Sequence, residues 1–150
     1  AGISIRDLRH QPQFDGAGSF SSNGLALVEK YDASGMNIKY GYINESGNYA
    51  FEQKFNNALD YADNGLAAVV DDTGKYGFIN ETGNYAITPQ FDNETNFDEN
   101  GFAAVEKEGM WGVIDSTGKY IIMPKYTYVL LKTVNPIDQN ILAELFYGGD

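Results

Sequence analysis

The acidic residues of this sequence are the ones whose types and spacing could support catalysis or metal binding. Asp71 and Asp72 are adjacent, and the segment 92–101, DNETNFDENG, carries several more carboxylates. Paired carboxylates serve acid–base catalysis, and clustered carboxylates bind calcium. Aspartate in a turn, however, more simply hydrogen-bonds its own backbone. We therefore predict that residues 71–72 form a turn rather than a catalytic pair.

The acidic segment does not follow the EF-hand calcium pattern. Phe97 stands where that loop needs its glycine, and Ala103 stands where it needs its bidentate glutamate. A solvated acidic loop is the favoured interpretation. The alternative is an irregular calcium site whose ligands would be Asp92, Glu94, Asp98 and Glu99.

Nucleophilic and metal chemistry find little support. The chain has no cysteine, which excludes a disulfide scaffold and a zinc ribbon. Its one histidine, His10, lies in a polar stretch typical of a solvated side chain. No serine is matched with a histidine base, and no glycine-rich loop leads into a helix as phosphate binding requires. We predict that the protein is not an enzyme and uses no metal or cofactor.

Three aromatic residues are the candidate binding residues. Tyr40, Tyr76 and Trp111 each precede a glycine at the same place in a repeated pattern. Amphipathic rings suit binding surfaces, so these side chains could stack on a glycan or a peptide. The simpler alternative is that they pack in the core or between repeats.

An internal repeat positions these residues. Each unit opens with two aromatic residues six positions apart and a glycine four positions later. The matching residues are Phe14, Phe20 and Gly24, then Phe55, Tyr61 and Gly65, then Phe91, Phe97 and Gly101. An aromatic–glycine pair follows in each unit, and the next matching glycines are Gly47, Gly83 and Gly118. The steps between units are 41, 36 and 35 residues, the first being longer because YDASGMNIK is inserted in a turn.

Each unit is predicted to be a three-stranded antiparallel meander. An Ala-x-Val motif repeats in the first strand, and its period of two makes this the buried face. The glycine of the aromatic–glycine pair opens the second strand, where another chain or ring can approach the backbone closely. Asn or Asp followed three positions later by glycine predicts a type I turn with a left-handed glycine at Gly47, Gly83 and Gly118.

The predicted fold is therefore all-β, an open and twisted array of such meanders. Residues 1–13 form an N-terminal arm or strand, and the units span residues 14–54, 55–90 and 91–125. Residues 126–150 begin as a degenerate fourth strand. Asn135–Pro136 then opens a helix with Ile137, Ile141 and Leu145 on one face, which is expected to cap the last unit.

The third unit resembles the bacterial WG repeat, named for its Trp-Gly pair. The matching residues are Trp111, Gly112, Ile114, Asp115, Thr117, Gly118, Lys119 and Pro124. The resemblance extends over about residues 14–126, with Tyr40 and Tyr76 in place of tryptophan in the first two units. It implies tandem β units in bacterial proteins, often surface-associated, and brings no catalytic residues.

Charge and hydropathy limit the classes of partner that this protein can be expected to bind. With 10 basic and 21 acidic residues the net charge is −11, which excludes nucleic acid and anionic membranes as favoured partners. No apolar run approaches the ~20 residues of a membrane span. We expect a non-enzymatic scaffold that binds a macromolecular partner, preferably protein. The alternative is a carbohydrate or cell-wall-binding module using exposed aromatics. A secreted or cell-surface location is favoured over a cytoplasmic one.

Overall fold

A computed structural model describes residues 13–131 and 143–146 of the chain, and every regular element in these residues is a strand. The strands are β1 (Gly16–Phe20), β2 (Ala26–Tyr31), β3 (Ile38–Ile43), β4 (Asn57–Ala58), β5 (Ala67–Val70), β6 (Tyr76–Ile79), β7 (Tyr85–Phe91), β8 (Asn93–Glu94), β9 (Phe102–Lys107), β10 (Met110–Asp115), β11 (Tyr120–Tyr126), β12 (Tyr128–Leu131) and β13 (Ala143–Phe146).

The strands form four open antiparallel sheets in chain order, which confirms the all-β prediction. The first sheet is β1-β2-β3, the second is β4-β5-β6-β7, the third is β8-β9-β10-β11, and the fourth is β12-β13. The second and third sheets have one strand more than predicted, because each begins with a strand of two residues, too short to show alternation. In the first unit, residues 49–55 take the place of β7 and are joined to β3 by two isolated bridges.

Both faces of β5 and β9 are buried, which goes beyond the single buried face that the repeat predicts. The Ala-x-Val positions are almost fully buried, as Ala67 and Val69 show. Ala68 and Ala104 point to the opposite face and are fully buried as well. Apolar residues on both faces are what a sheet packed between two neighbours requires.

Successive sheets pack face to face at two junctions. The first junction, between the first and second sheets, contains Leu25, Tyr42, Phe55, Ala58, Tyr61, Ala67, Val69 and Ile79. The second junction, between the second and third sheets, contains Leu66, Ala68, Phe78, Ile87, Phe91, Phe97, Ala103, Val105 and Ile114. The second sheet therefore contributes one face to the first junction and the other face to the second junction.

In each repeated turn the side chain of the first residue, Asn44, Asn80 or Asp115, accepts hydrogen bonds from the same two backbone N–H groups. In the second unit the Asn80 side-chain oxygen accepts hydrogen bonds from the backbone N–H groups of Thr82 and Asn84, at 3.0 and 3.1 Å. The glycines of these turns, Gly47, Gly83 and Gly118, have φ of 82°, 84° and 84°. Such left-handed values favour glycine because any larger side chain would crowd its own backbone.

The glycine of the aromatic–glycine pair is needed for close approach. A Cβ atom on Gly112 would lie 2.5 Å from the backbone oxygen of Ile122, and one on Gly77 would lie 2.8 Å from that of Ile87. The register between β10 and β11 shifts at this point, and the same shift occurs between β6 and β7. A bulged strand thus crosses directly over the glycine, and only a residue without Cβ leaves it room.

The predicted C-terminal helix is not supported. Its last part, Ala143–Phe146, forms β13 and pairs antiparallel with β12, because alternating residues of this segment satisfy a strand as well as a helix. The start of that helix and most of the N-terminal arm lie outside the described residues. The cap on the third sheet is instead β12, which lies against β9 and β10.

Candidate functional site

The longer first unit projects a β-hairpin beyond the sheet behind it. In the second unit the hairpin ladder ends with Val70 opposite Tyr76. In the first unit the ladder continues past the matching pair, Glu29 and Tyr40, for two more pairs, ending with Tyr31 opposite Ile38. The insertion therefore appears in the structure as an extension of β2 and β3.

This extension forms one wall of a groove of about 780 Å³, which we call the junction groove. Tyr31, Ile38 and Tyr40 lie on the face of the first sheet that packs against the second sheet. At the overhang none of the described strands of the second sheet covers that face, and Tyr31 is 47% exposed. The groove is lined by Tyr31, Met36, Asn37, Ile38, Lys39, Tyr40, Asn56 and Asp72.

Polar groups form the opposite side of the junction groove. The Lys39 ammonium donates a hydrogen bond to the Asn56 side-chain oxygen and lies 3.7 Å from an Asp72 carboxylate oxygen. The Asn56 amide donates to the backbone oxygen of Asp71 at 3.2 Å. Asp72 itself is 93% exposed, so its second oxygen is accessible to a ligand.

A second groove of about 310 Å³ adjoins the first and shares Asp72. Tyr85 and Lys54 line it; burial, followed by the Asp71 and Asp72 carboxylates, raises the pKa of Tyr85. The Lys54 ammonium lies 3.5 Å from the centre of the Tyr49 ring, and burial lowers the pKa of Lys54. The two grooves together present aromatic rings beside carboxylates at the junction of the first two sheets.

The three predicted aromatic residues do not form one site. Each is partly buried and packs against a different cluster: Tyr40 against the first junction, Tyr76 against the second, and Trp111 against the outer face of the third sheet. Tyr40 also lines the junction groove. Packing against a hydrophobic cluster is thus what the three positions share, and for Tyr40 and Tyr76 that cluster lies between two sheets.

The adjacent carboxylates Asp71 and Asp72 have separate roles. The Asp71 carboxylate accepts hydrogen bonds from the Thr73 hydroxyl at 2.6 Å and its N–H at 2.9 Å. The Thr73 hydroxyl, more than any other partner, lowers the pKa of Asp71. Asp71 is thus committed to the turn, while Asp72 is available in the groove.

The carboxylates of the acidic segment, residues 92–101, do not come together at one site. Asp92 accepts from the Lys75 ammonium and from the backbone N–H of Glu108. Asp98 closes its own turn, accepting from the backbone N–H groups of Asn100 and Phe102. Within the described part of the chain no group of three or more acidic or histidine side chains could hold a metal ion. His10 lies outside that part.

Glu94 is the exception in this segment. One carboxyl oxygen is buried without a hydrogen-bond partner among the described residues, and burial raises the pKa of Glu94 to about 7. Its strand position places it opposite Val105, on the face that packs in the second junction. It is therefore a feature of the sheet packing rather than of a calcium loop.

Sequence reasoning missed most of the groove. The candidate residues from the sequence did not include Tyr31, Met36, Ile38 or Asn56. Of these, Met36 is 83% exposed in the structure. The available signal was the five extra residues of the first repeat step, 41 against 36. An insertion confined to one copy of a repeat marks a place where that copy differs in its surface.

A family model described as "WG containing repeat" matches residues 11–32, 40–75, 76–111 and 111–130. Three of these matches begin at Tyr40, Tyr76 and Trp111, the aromatic residues of the repeated pair. Curated proteins include no significant match to this chain. The described residues contain no helix that could cross a membrane.

Proposed function

The chain belongs to the WG-repeat family, and we propose that it is a non-enzymatic scaffold whose junction groove binds a protein partner. The observation that carries this proposal is the overhang of the first β-hairpin. It exposes Tyr31 and Met36 beside the groove, at 47% and 83% of their surface. Large apolar side chains grouped on a surface and bordered by polar groups are typical of protein-binding sites.

The chemistry of the groove favours an extended peptide with a basic side chain. Tyr31, Ile38 and Tyr40 offer apolar area to a partner's side chains. Asp72 has an exposed carboxylate, only partly neutralised by Lys39 at 3.7 Å. The net charge of −11 also attracts basic partners over a long range, an effect that salt screens.

A glycan is the second candidate ligand. Tyr31 and Tyr40 are rings on which a sugar could stack, and Asn37, Asn56 and Asp72 supply hydrogen-bonding groups in the same groove. This combination of rings and amides is the observation that keeps a carbohydrate or cell-wall polymer as the alternative. A surface location would suit either ligand and is part of this proposal.

Binding to variants of the groove separates these functions. The full chain, Tyr31→Ala and Asp72→Lys are used to capture partners from the native source at low and high salt. Met123→Ser is the matched control, because Met123 is 62% exposed on the third sheet. We expect a protein that the wild type and the control retain at low salt, and that both groove variants release.

The same proteins are applied to a glycan array and to isolated cell wall. Glycan binding that Tyr31→Ala abolishes, with no protein captured, would replace the proposed function by its alternative. A screen for hydrolase and transferase activity tests the non-enzymatic assignment. Turnover that follows the protein through purification and is lost on changing one acidic residue would contradict it.

A further inference from the structure

Each of the three units has a tyrosine two residues after its turn glycine, and the surroundings of the three rings differ. The matching residues are Tyr49, Tyr85 and Tyr120. The Tyr49 ring has the Lys54 ammonium 3.5 Å from its centre. The Tyr120 hydroxyl is buried, and its ring packs against the second junction. Tyr85 is 40% exposed and lines the groove of about 310 Å³ beside the junction groove, which we call the second groove.

The contact at Tyr49 shows that this position of the repeat can hold a cation against an aromatic ring. Lys54, which supplies the cation, follows Tyr49 by five residues. The residue five positions after Tyr85 is Gln90, whose side-chain amide donates to the backbone oxygen of Thr88 at 3.2 Å. The second unit therefore has an uncharged residue at the position from which the first unit supplies its cation.

Two carboxylates lie near the Tyr85 ring. Asp71 and Asp72 line the same groove, and after the larger effect of burial both of them raise the pKa of Tyr85. Lys54 also lines the groove, but its ammonium lies on the Tyr49 ring and donates to the backbone oxygen of Glu52 at 3.0 Å. The residues lining the second groove therefore carry two negative charges and one positive charge.

The matching positions at the second junction carry the opposite balance of charge. Lys107 stands at the position of Asp71, and Lys119 stands at that of Asn84. Glu108 matches Asp72, so two lysines accompany one carboxylate there. An exposed ring beside an excess of negative charge is thus a property of the first junction rather than of the repeat.

From this comparison we propose that the second groove binds an arginine side chain of the protein partner, with the guanidinium stacked on the Tyr85 ring and hydrogen-bonded to Asp72. Arginine suits the groove better than lysine, because its planar group can stack on a ring and also donate two hydrogen bonds to one carboxylate. Asp72 lines both grooves, so this arginine would adjoin the part of the partner that lies in the junction groove. The inference rests on the proposed function and adds the identity of one side chain of the partner.

Short peptides probe the second groove on the full chain. The first is acetyl-Gly-Arg-Gly-amide, and the other two have lysine or citrulline in place of arginine. Citrulline keeps the planar shape of arginine and removes its charge. In NMR titrations of the isotope-labelled protein we expect the arginine peptide to cause saturable shifts at Asp72, Asn84 and Tyr85. The lysine peptide should bind severalfold more weakly, and the citrulline peptide should bind about tenfold or more weakly.

Variants of the full chain locate the binding site. Asn84→Lys introduces the residue type that the third unit has at Lys119, so the turn can accept it, and its charge should repel the arginine peptide. Tyr85→Leu removes the ring and keeps an apolar side chain. Both variants should weaken the arginine peptide severalfold or more. Asn48→Lys is the matched control, because it makes the same charge change at the same turn position of the first unit, away from the second groove. Its affinity should stay close to that of the wild type.

Three results would overturn the proposal: no binding of the arginine peptide, equal affinities for the arginine and citrulline peptides, or equal losses in Asn84→Lys and Asn48→Lys. The last would show only a general attraction to an acidic surface. Tyr31 does not line the second groove, so Tyr31→Ala should bind the arginine peptide as the wild type does. A partner released by Tyr31→Ala, together with no binding of the arginine peptide, would reject this proposal and keep the proposed function. Arginine-peptide binding that needs Tyr85, with no protein captured, would support the arginine site and contradict the proposed function.

Discussion

The two junctions hold their rings in nearly the same arrangement but use different polar chemistry. At the first, the Tyr42 and Tyr61 ring centroids are 4.8 Å apart with an angle of 61° between the rings. At the second, the matching rings of Phe78 and Phe97 are 4.8 Å apart at 60°. Edge-to-face packing is thus common to both junctions, although one pair has hydroxyl groups and the other has none.

The difference lies in how buried polar groups are satisfied. The Tyr42 hydroxyl donates to the backbone oxygen of Leu59 at 2.6 Å, so its burial at the first junction is compensated. At the second junction, Glu94 stands in the position of Ala58 and has a buried oxygen without a described partner. The two junctions thus share their ring packing and differ in the hydrogen bonding of their buried polar groups. We expect this second difference to determine how the stability of each junction depends on pH.

We expect the largest loss of unfolding free energy at Gly77 and a smaller one at Gly41, the two matching glycines that lie beneath the outer strands of their units. A Cβ on Gly77 would meet backbone atoms of Ile87 and Pro89 at 2.8 Å, whereas one on Gly41 would meet the flexible Lys54 side chain at 2.9 Å and Tyr49 at 3.0 Å. Gly77→Ala should therefore cost about 3 kcal/mol of unfolding free energy and Gly41→Ala about 1 kcal/mol. Equal losses of unfolding free energy, measured by chemical denaturation, would show that the segments crossing Gly77 and Gly41 move aside equally well.

The turn glycines should rank next. Gly83→Ala brings a methyl group against the Phe51 ring, 2.6 Å away, at a φ of 84°. Gly118→Ala has a looser contact, with Ile87 at 3.1 Å, and Gly74 has the same backbone conformation with nothing within 4 Å. We expect losses of about 2–3, about 2 and about 1 kcal/mol respectively, because backbone strain is common to all three. Gly74→Ala is the control, and a loss there as large as at Gly83 would assign the whole effect to φ.

Much of this fold could be predicted from the sequence because the repeat appears three times. Gly47, Gly83 and Gly118 recur at one spacing, so the turn chemistry could be recognised without any one copy being decisive. β4 and β8 could not be found, since two residues cannot show a period of two. The segment at Leu145 was misassigned because Ala143 and Leu145 follow Ala103 and Val105 by 40 residues rather than by the repeat step of 35, which hid their likeness to the Ala-x-Val motif.

The candidate site was less accessible to sequence reasoning. Tyr40, Tyr76 and Trp111 recur where each packs against a hydrophobic cluster, so recurrence selected residues for packing rather than for a shared binding site. The groove depends on Tyr31 and Met36, which belong to an insertion found in one unit only. Whether such an insertion exposes or buries its apolar residues depends on which sheet lies behind it, and that is a property of the packed structure.

The third prediction concerns pH and only the second junction. Burial raises the pKa of Glu94 from an ordinary value of 4.5 to about 7, so the folded state binds a proton more tightly than the unfolded state. The protonated form's contribution to stability is complete below pH 4.5 and is lost as pH rises through 7. Replacing Glu94 with glutamine removes this dependence.

The unfolding free energy of Glu94→Gln relative to that of the wild type should be about 1–2 kcal/mol greater at pH 8 than at pH 4.5, after allowing for the partial exposure of Glu94. Denaturant titrations of both proteins at several pH values measure this difference. Ala58→Gln at the first junction is the control for introducing an amide at the matching position. A difference between wild type and Glu94→Gln that does not change with pH would contradict the assignment.

The smallest expected effect tests whether the hydrogen bonds of the first junction can be transferred to the second. The Tyr61 hydroxyl donates to the backbone oxygen of Asn80 at 2.7 Å, and that oxygen also accepts from Gly83 N at 3.1 Å. Tyr61→Phe leaves the oxygen its turn bond and should cost about 1 kcal/mol. At the second junction, Asp115 occupies the place of Asn80 and its oxygen accepts from the matching glycine N–H.

Phe97→Tyr would place a hydroxyl toward that Asp115 oxygen in the same ring geometry. A carbonyl oxygen has a second lone pair to accept it, so the variant should gain about 0.5–1 kcal/mol. Unfolding free energies of the two single variants, measured under one set of conditions, make the comparison. If Phe97→Tyr instead destabilises by as much as Tyr61→Phe, the second junction has no room for the hydroxyl. Its ring packing would then differ from that of the first junction in a way that the centroid distances do not show.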